Sequence, residues 1–228
     1  MTQPRILAVR KNILEKNDRL AHDLRQAFAR HGVLAVNLVS GPGAGKTELL
    51  RRTLAELRKT QRPAAVTGDL ATANDATRLA QSGAPARQIL TGTMCHLEAD
   101  MVAAAIAEWN LAELDYLFIE NVGNLVCPGD FDLGEDRRVL LLSTTEGEDK
   151  PLKYPTLINT ADVVIINKLD LAAAVECDVD LLEANIREVR PGAAVFRLSA
   201  KTGAGCEAWL DYLRGEWQRK QAAGEAAR

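Results

Sequence analysis

The sequence predicts an α/β fold, a mostly parallel β-sheet with helices on both faces. Three observations support this prediction. Apolar runs of strand length alternate along the chain with segments of helical periodicity. A glycine-rich loop joins the first apolar run to a helix. Finally, 47% of the 228 residues are hydrophobic, which is enough for one domain with a sizeable core.

The elements can be justified in chain order. Residues 12–31 carry apolar side chains at helical spacing and end at Gly32, which predicts an N-terminal helix. Apolar runs bounded by polar or glycine-containing segments predict strands at 33–39, 64–68, 88–91, 114–120, 139–144, 162–166 and 194–198. The segments between and after them predict helices at 46–60, 73–82, 97–109, 154–160, 178–190 and 206–219. The polar, alanine-rich residues 221–228 predict a frayed tail.

Residues 40–47, Ser-Gly-Pro-Gly-Ala-Gly-Lys-Thr, follow the first predicted strand and open a helix. In such a loop, glycines let backbone N–H groups surround phosphate oxygens, Lys46 reaches the β- and γ-phosphates, and the Thr47 hydroxyl takes a Mg²⁺ position. The helix adds its positive N-terminal end. The full pattern has glycine where this chain has Ser40, a small residue that a turn tolerates. The predicted nucleotide contacts here are Gly41, Gly43, Ala44, Gly45, Lys46, Thr47 and Glu48.

A second motif indicates which base is bound. Asn-Lys-Leu-Asp at 167–170 follows an apolar strand directly, and Ser-Ala-Lys at 199–201 follows the last predicted strand. The Asp170 carboxylate can accept from guanine N1–H and from its exocyclic amine, a pair of contacts that adenine cannot return. We expect Lys168 to lie over the base and Asn167 to brace the loop, so the sequence predicts binding of GTP and GDP. The predicted base contacts are Asn167, Lys168, Asp170, Ser199, Ala200 and Lys201.

Acidic residues after two other strands complete a predicted Mg²⁺ site. Glu120 ends a strand where a phosphate-loop NTPase keeps a carboxylate for Mg²⁺, and the Gly123 N–H can sense the γ-phosphate. Asp69 is the first candidate to hold Mg²⁺ or to position the attacking water, and Asp75 is the second. Asp75 can equally serve in the first turn of a helix. The predicted Mg²⁺ set is Thr47, Asp69, Asp75 and Glu120, and the predicted catalytic set is Lys46, Asp69 and Glu120.

The cysteines and histidines suggest a second kind of metal site. Cys95 and His96 lie in the loop after the third predicted strand, and Cys127 lies in the loop after the fourth. Cysteine and histidine suit Ni²⁺ or Zn²⁺ equally well. Adjacent residues point in different directions in extended backbone, so one ion can take both Cys95 and His96 only through a tight turn or with ligands shared across a dimer. Cys177 and Cys206 are interpreted as small buried hydrophobic residues.

Composition excludes several other functions. A net charge of −3 and the lack of a basic stripe argue against a nucleic-acid partner. No apolar run approaches the ~18 residues of a membrane span. The N-terminal residues lack a signal pattern, and the cysteines are scattered as in reduced proteins, so we expect a cytoplasmic location.

Six motifs of this chain occur in the same order as in a known protein family. They lie at residues 38–47, 68–76, 92–98, 119–127, 146–154 and 167–170. In this respect the chain resembles the HypB family of hydrogenase nickel-incorporation GTPases, over residues 12–215. The resemblance implies a P-loop NTPase fold with a SIMIBI-type G domain over residues 33–220, on which an N-terminal helix within 1–32 packs. Cys95, His96 and Cys127 match the family's nickel or zinc site near the dimer interface.

The function that the resemblance implies is GTP-hydrolysing nickel delivery to [NiFe]-hydrogenase precursors. It also implies a homodimer favoured by GTP, with slow hydrolysis because no arginine finger is evident. The implied partners are a zinc-containing hydrogenase maturation protein and the hydrogenase large-subunit precursor. Some family members carry an N-terminal Cys-rich nickel motif or a His-rich tract, and residues 1–11 contain neither residue type.

Three alternatives stay open at the level of the sequence. A related urease-type accessory GTPase shares this layout but typically has a Cys-Pro-His motif, whereas Cys95-His96 and Cys127-Pro128-Gly129 are separate here. A GTPase that guards a cobalamin-dependent mutase explains the guanine motifs and leaves the Cys/His loops unexplained. A metal-storage protein with a vestigial nucleotide site would not need intact Lys46, Thr47, Asp69 and Glu120.

Overall fold

Seven parallel strands form a single sheet in the computed structural model, which describes residues 5–69 and 74–226. The strand order is β3-β2-β4-β1-β5-β6-β7, and every neighbouring pair is parallel. The strands are β1 (Leu34–Ser40), β2 (Pro63–Asp69), β3 (Ala86–Leu90), β4 (Tyr116–Glu120), β5 (Arg137–Ser143), β6 (Val163–Asn167) and β7 (Ala194–Arg197). The predicted α/β fold and all seven predicted strands are confirmed.

The helices agree with the prediction except at some boundaries. They are α1 (Arg5–His31), α2 (Lys46–Leu57), α3 (Asn74–Ala80), α4 (Ala99–Ile106), α5 (Lys150–Lys153), α6 (Pro155–Thr160), α7 (Val179–Val189) and α8 (Cys206–Ala226). The short helix α5 is not predicted, because a single turn shows no periodicity. Residues 70–73, which include part of the Gly-Asp-Leu-Ala-Thr-Ala-Asn-Asp run and the predicted start of α3, lie outside the described residues.

Alternation along β1 sends side chains to two cores, one on each face of the sheet. Leu34, Val36 and Leu38 pack with the apolar sides of α2, α3 and α8. On the other face, Ala35 packs with α1 and α4, and Val39 packs with α6 and α7. The central strands are buried on both sides, as their continuous apolar sequences require. The sheet is therefore a rigid platform whose carboxyl ends hold the loops.

The terminal helices α1 and α8 pack against the same body. Phe28 of α1 is fully buried with Val33 in the core beneath α4. The tail predicted from residue 221 differs in the structure, since α8 continues to Ala226 and Gln221 Nε2 donates to Gly32 O at 2.6 Å. This long-range bond tethers the end of α8 to the end of α1. Among residues 5–69 and 74–226, no helix combines the length and the apolar character that crossing a membrane needs.

Candidate functional site

A cavity of about 490 Å³ lies at the carboxyl ends of β1, β2 and β4. Ligands of parallel sheets gather at this edge. The cavity brings together the glycine-rich loop and the acidic residues that the sequence places after two other strands. Its lining is Pro42, Gly43, Gly45, Lys46, Thr47, Glu48, Gly68, Asp69, Asp75, Arg78, Glu120, Asn121, Val122 and Gly123.

The glycine-rich loop has the backbone shape that a phosphate cradle needs. β1 ends at Ser40 and α2 begins at Lys46, so the N-terminus of α2 faces the cavity. Gly45 has φ 100°, and a Cβ there would come 2.5 Å from Asn167 Nδ2, so only glycine fits without a shift. Ala44 is buried beneath the loop, and its carbonyl accepts from Asn167 Nδ2 at 2.8 Å.

Lys46 is buried at the base of the cavity. Its Nζ donates to Ser40 Oγ at 2.9 Å, and Ser40 Oγ donates to Gly41 O at 2.6 Å. The serine that replaces the usual glycine therefore supplies an acceptor for the lysine. Burial lowers the pKa of Lys46, because the charged amine has lost solvent, while Glu120 partly restores it. A bound polyanion would satisfy this charge far better than one hydroxyl does.

Glu120 and Thr47 meet in the lining of the same cavity. Thr47 Oγ1 donates to Glu120 Oε1 at 2.6 Å. The other carboxylate oxygen, Glu120 Oε2, is buried and has no hydrogen-bond partner among the described residues. A hydroxyl beside an unpartnered carboxylate oxygen is a donor set that Mg²⁺ accepts. The residues present therefore fit the cation that the sequence predicts.

The burial of Glu120 predicts an unusual pH dependence of the protein without nucleotide or metal. Burial raises the pKa of Glu120 to about 7, against an ordinary value near 4.5. The folded state then keeps a proton that the unfolded state has lost, so stability falls as the pH rises from about 4.5 to about 7. We expect Glu120→Gln, which has no such titration, to gain about 10 °C in Tm relative to the parent between pH 4.5 and pH 8. A parent and variant whose Tm curves run parallel across this range would contradict the assignment.

The other two predicted acids line the same cavity, together with an arginine that the sequence prediction did not include. Asp69 ends β2, and Asp75 lies in the first turn of α3. Arg78 Nη1 lies 3.8 Å from Asp75 Oδ1, and Arg78 Nη2 lies 3.3 Å from Glu48 Oε2. Arg78 is three residues after Asp75, so it faces the same side of α3. That spacing is the sequence signal that could have identified it.

The two loops of the predicted base site contact each other and the phosphate loop. Asn167 Oδ1 accepts from Ala200 N at 2.9 Å, while its amide nitrogen reaches the phosphate loop. Ser199 Oγ donates to Asp170 Oδ1 at 2.5 Å. Lys168 adopts a left-handed backbone with φ 62°, and its carbonyl accepts from Thr144 Oγ1. The bracing role predicted for Asn167 corresponds to these contacts.

The outer parts of these loops are open to solvent. Asp170 and Lys201 are exposed, and Lys201 contributes its carbonyl to Arg52 Nη2 at 3.0 Å. Glu48 is held by Arg51 and Arg78, and that pairing lowers the pKa of the Glu48 carboxyl. These side chains stand at the rim of the predicted nucleotide site.

Cys95, His96 and Cys127 form a cluster whose ligand atoms all lie within 4.8 Å of one another. Cys95 Sγ lies 2.7 Å from Cys127 Sγ and 3.9 Å from His96 Nδ1. A turn in which Met94 N donates to Thr91 O precedes the pair, so one chain brings both adjacent side chains to the cluster. Two sulfurs and one imidazole nitrogen are a donor set for Ni²⁺ or Zn²⁺.

The surroundings of the cluster orient its side chains. The His96 ring stacks on Phe131 with centroids 3.9 Å apart, and His96 Nε2 lies 3.4 Å from Glu98 Oε1. Hydrogen bonding to Cys95 raises the pKa of the Cys127 thiol. Cys206 is buried in the core under α8, as its interpretation predicts. Cys177 packs against the core beside α7 but is only half-buried.

Asn17 of α1 is a further residue that the sequence analysis missed. It is 3% exposed, and its Oδ1 accepts from Ala99 N at 2.8 Å while its Nδ2 donates to Asp132 O at 2.8 Å. Ala99 lies just after the Cys95-His96 loop, and Asp132 lies just after the Cys127 loop. The N-terminal helix therefore joins the two loops that carry the cluster. These hydrogen bonds join residues that are 82 and 115 positions apart, so no local sequence pattern predicts them.

The fold and the cavity define a nucleotide-binding protein of the phosphate-loop class. The model for the CobW/HypB/UreG nucleotide-binding domain matches residues 34–197. The chain is 47% identical over 213 residues to the hydrogenase maturation factor HypB of Escherichia coli K12, a match that covers 93% of this chain and 73% of that protein.

Two solved structures agree with the sequence comparison. HypB from Archaeoglobus fulgidus is 40% identical with a TM-score of 0.83, covering 89% of this chain and 99% of that one. HypB from Helicobacter pylori, solved in complex with nickel, is 38% identical with a TM-score of 0.84, covering 90% and 96%. The chain belongs to the HypB family of hydrogenase maturation factors.

Proposed function

We propose that this protein hydrolyses GTP to control the binding and release of nickel during the maturation of [NiFe]-hydrogenase in the cytoplasm. The observation that supports this most is the continuity between the cavity and the Cys/His cluster. Cys127 lies only four residues after Gly123, which lines the cavity. A change at the nucleotide therefore has a short covalent path to a metal ligand.

The residues of the cavity support specific roles in nucleotide binding. Lys46 would neutralise the β- and γ-phosphates, and the backbone of the loop from Gly41 to Gly45 would surround them. Thr47 and Glu120 would hold Mg²⁺, and Asp69 and Asp75 line the same cavity. When bound, the ion would neutralise charge that develops on the phosphates. Asp69 remains our first candidate to orient the attacking water.

Gly123 is the group proposed to respond to the γ-phosphate. A Cβ at Gly123 would lie 3.2 Å from Pro42 Cα and 3.7 Å from Lys46 Nζ, so the Gly123 backbone lies against the phosphate loop. Binding of a third phosphate would engage its N–H, and hydrolysis would release it. The segment from Gly123 to Cys127 would then differ between the two nucleotide states, and with it the metal site.

A GTP-favoured homodimer is supported by the position of both sites on one edge of the sheet. Large hydrophobic side chains are exposed in the segments that lead to Cys95 and Cys127, since Leu90 and Val126 are each 66% exposed. Exposed apolar groups around a functional edge are typical of interaction surfaces. The proposed partners are a zinc-containing hydrogenase maturation protein and the hydrogenase large-subunit precursor.

The test is the affinity for Ni²⁺ and for Zn²⁺ of the protein with GDP and with a non-hydrolysable GTP analogue. We expect the affinity to differ between the two states and to fall at least 100-fold in Cys95→Ala, because loss of a ligand costs more than the ~10–100-fold of an outer-shell partner. By linkage, bound metal must change the ratio of GTP-analogue to GDP affinity by the same factor by which the nucleotide changes the metal affinity.

Cys177→Ala is the matched control for this experiment. Cys177 is a half-buried cysteine in the loop before α7, where its N–H donates to Ala172 O. Its replacement should leave metal affinity unchanged in both nucleotide states. Equal, weak metal binding in the parent under every condition would contradict the proposal and leave a guanine-nucleotide switch with structural cysteines.

The urease-type and cobalamin-mutase-type alternatives have less support. The similar proteins at 38–47% identity are named hydrogenase maturation factors, and one of them, from Helicobacter pylori, is named a hydrogenase/urease maturation factor. The assembled Cys/Cys/His cluster is not explained by a role as guardian of a cobalamin-dependent mutase. The choice between Ni²⁺ and Zn²⁺ is decided by the affinities measured above, since the donor set suits both.

A further inference from the structure

A chain of buried polar side chains connects the loop after Cys127 to the loop after His96 through the centre of the molecule. Its four members are Arg138, Glu135, Asn37 and Asn121, each at most 9% exposed. Buried polar groups of this kind rigidify what they connect, because breaking any one bond leaves a partner unsatisfied. None of the four is a ligand of the cluster.

Arg138, near the start of β5, holds the loop that follows Cys127. Its Nη1 donates to Gly129 O at 3.0 Å and its Nη2 donates to Phe131 O at 2.8 Å. The ring of Phe131 is the surface on which His96 stacks. One guanidinium therefore fixes the backbone after one metal ligand and the platform beneath another. Arginine suits this task because its planar fork presents several donors in fixed directions.

Glu135 connects Arg138 to the central strand. Its Oε1 accepts from Arg138 Nε at 2.9 Å and from Nη2 at 2.7 Å, and it also accepts from Asn37 Nδ2 at 3.0 Å. Its Oε2 accepts from Leu133 N at 2.7 Å, so both oxygens are engaged. Asn37 lies in β1, three residues before Ser40 at the start of the phosphate loop.

Asn121 completes the connection at the cavity. Asn121 Nδ2 donates to Asn37 Oδ1 at 3.4 Å, while Asn121 Oδ1 accepts from Leu97 N at 3.1 Å and from Val122 N at 3.0 Å. Asn121 directly follows Glu120 and lines the cavity. Leu97 directly follows His96. A shift of the segment from Glu120 to Gly123 would therefore be passed to both loops of the cluster.

We propose that Arg138 is a positioning residue for the metal site and that the Asn121–Asn37–Glu135–Arg138 chain couples metal affinity to the nucleotide state. This inference rests on the proposed function, because it assumes that metal binds at the cluster and nucleotide binds in the cavity. The chain adds a second path to the covalent one through residues 123–127. It also reaches His96, which the covalent path does not.

The test compares the parent with Arg138→Lys and with Asn37→Val, using Zn²⁺ and Ni²⁺ alone as probes. Lysine keeps the charge beside Glu135, but its single nitrogen lacks the planar fork with which Arg138 reaches Gly129 O, Phe131 O and Glu135 from separate nitrogens. We expect Arg138→Lys to lower metal affinity about tenfold in every nucleotide state, as for an outer-shell partner. Asn37→Val interrupts the chain at its middle. It should leave the metal affinity with GDP within about threefold of the parent's, and the ratio of metal affinities with the GTP analogue and with GDP should come close to one.

Two further measurements separate positioning from a merely structural role. The visible spectrum of Co²⁺ bound at the cluster should change in Arg138→Lys, because it reports ligand geometry, whereas a general loss of stability would lower Tm and leave the spectrum intact. Arg62→Lys is the matched control, since Arg62 joins the Asp115 carboxylate to Ala112 O just before β2. It should change neither metal affinity nor spectrum.

The outcomes distinguish this inference from the proposed function. The inference is overturned if the metal affinity of the parent depends on nucleotide and both variants keep the parent's metal affinity, its ratio between nucleotide states and its Co²⁺ spectrum. The chain of side chains would then be structural only. If the parent itself shows equal metal affinity in all nucleotide states, the proposed gating fails and the coupling role of the chain fails with it. The tenfold effect and spectral change of Arg138→Lys still decide the positioning role, since they are measured without nucleotide as well.

Discussion

Replacement of Asp170 by asparagine is expected to lower the affinity for GTP by about 10⁴-fold and to create binding of xanthosine triphosphate. Asp170 is exposed in the nucleotide-free protein and would be covered by the bound base. A site that hydrogen-bonds a substrate rejects, by roughly this factor, a substrate that leaves the covered polar groups unpaired. The proposed contact consists of two hydrogen bonds, because one carboxylate accepts from both guanine N1–H and the exocyclic amine. An asparagine amide would oppose one of those donors with its own N–H.

The structure explains why this single side chain should have so large an effect. Ser199 Oγ donates to Asp170 Oδ1 and holds the carboxylate against the loop from 199 to 201. Asn167 fixes that loop to the phosphate loop through Ala200 N and Ala44 O. The base site and the phosphate site are therefore one rigid unit, and loss of the base contact is not recovered by movement of the loop.

Direct titration of the parent and of the variant with fluorescent GTP and with fluorescent xanthosine triphosphate measures the change in specificity. Xanthine carries a carbonyl where guanine carries its amine, so the asparagine N–H can donate to it. Asp180→Asn is a suitable control, because Asp180 is an exposed acid of α7 that pairs with Arg197. Unaltered preference for GTP in Asp170→Asn would exclude Asp170 from base recognition.

The sequence predicts the parts of this molecule that local patterns define. Strands such as Val163–Asn167 are short, continuous apolar runs that are buried on both faces. A run of this length and composition predicts a central strand of a parallel sheet. The phosphate loop is a contiguous pattern as well. The cavity follows from these, because the carboxyl ends of parallel strands share an edge. The individual roles of its residues stay predictions.

The parts that the sequence did not predict depend on contacts between distant residues. Arg78 lines the cavity because α3 packs beside α2, and Asn17 reaches two loops because α1 packs beside α4. Asn37 is a polar residue inside an apolar strand, and its partner Glu135 is 98 residues away. The sequence allows Cys95 and His96 to meet through a tight turn or across a dimer. In the structure both side chains approach Cys127 within one chain, after a turn that the short loop sequence does not reveal.

Lys46→Ala is expected to reduce the rate of phosphate release by about 10³-fold, at the upper end of what loss of one preorganised electrostatic group costs. Lys46 is the cation at the floor of the cavity, and its pKa is lowered by burial. A buried charge that is disfavoured in the empty protein is a preorganised partner for a phosphate. Release of phosphate from GTP at saturating nucleotide measures the loss.

A stability measurement shows that such a loss is not caused by unfolding. Because the folded state disfavours the Lys46 charge, its removal should leave the Tm of the nucleotide-free protein equal to or above that of the parent. Lys153→Ala is the matched control, since Lys153 is an exposed lysine paired with Asp149. Its rate should equal that of the parent.

The same variant separates a GTP-controlled metal carrier from a metal-storage protein with a vestigial nucleotide site. In a carrier, Lys46→Ala should retain Cys95, His96 and Cys127 as an intact metal site while metal affinity no longer responds to added GTP. In a storage protein, neither the parent nor the variant would release phosphate, and nucleotide would change metal affinity in neither. Phosphate release at the parent rate in Lys46→Ala would instead remove Lys46 from the catalytic set. The lysine at the floor of the cavity is thus the one residue whose replacement tests hydrolysis and nucleotide control of metal affinity together.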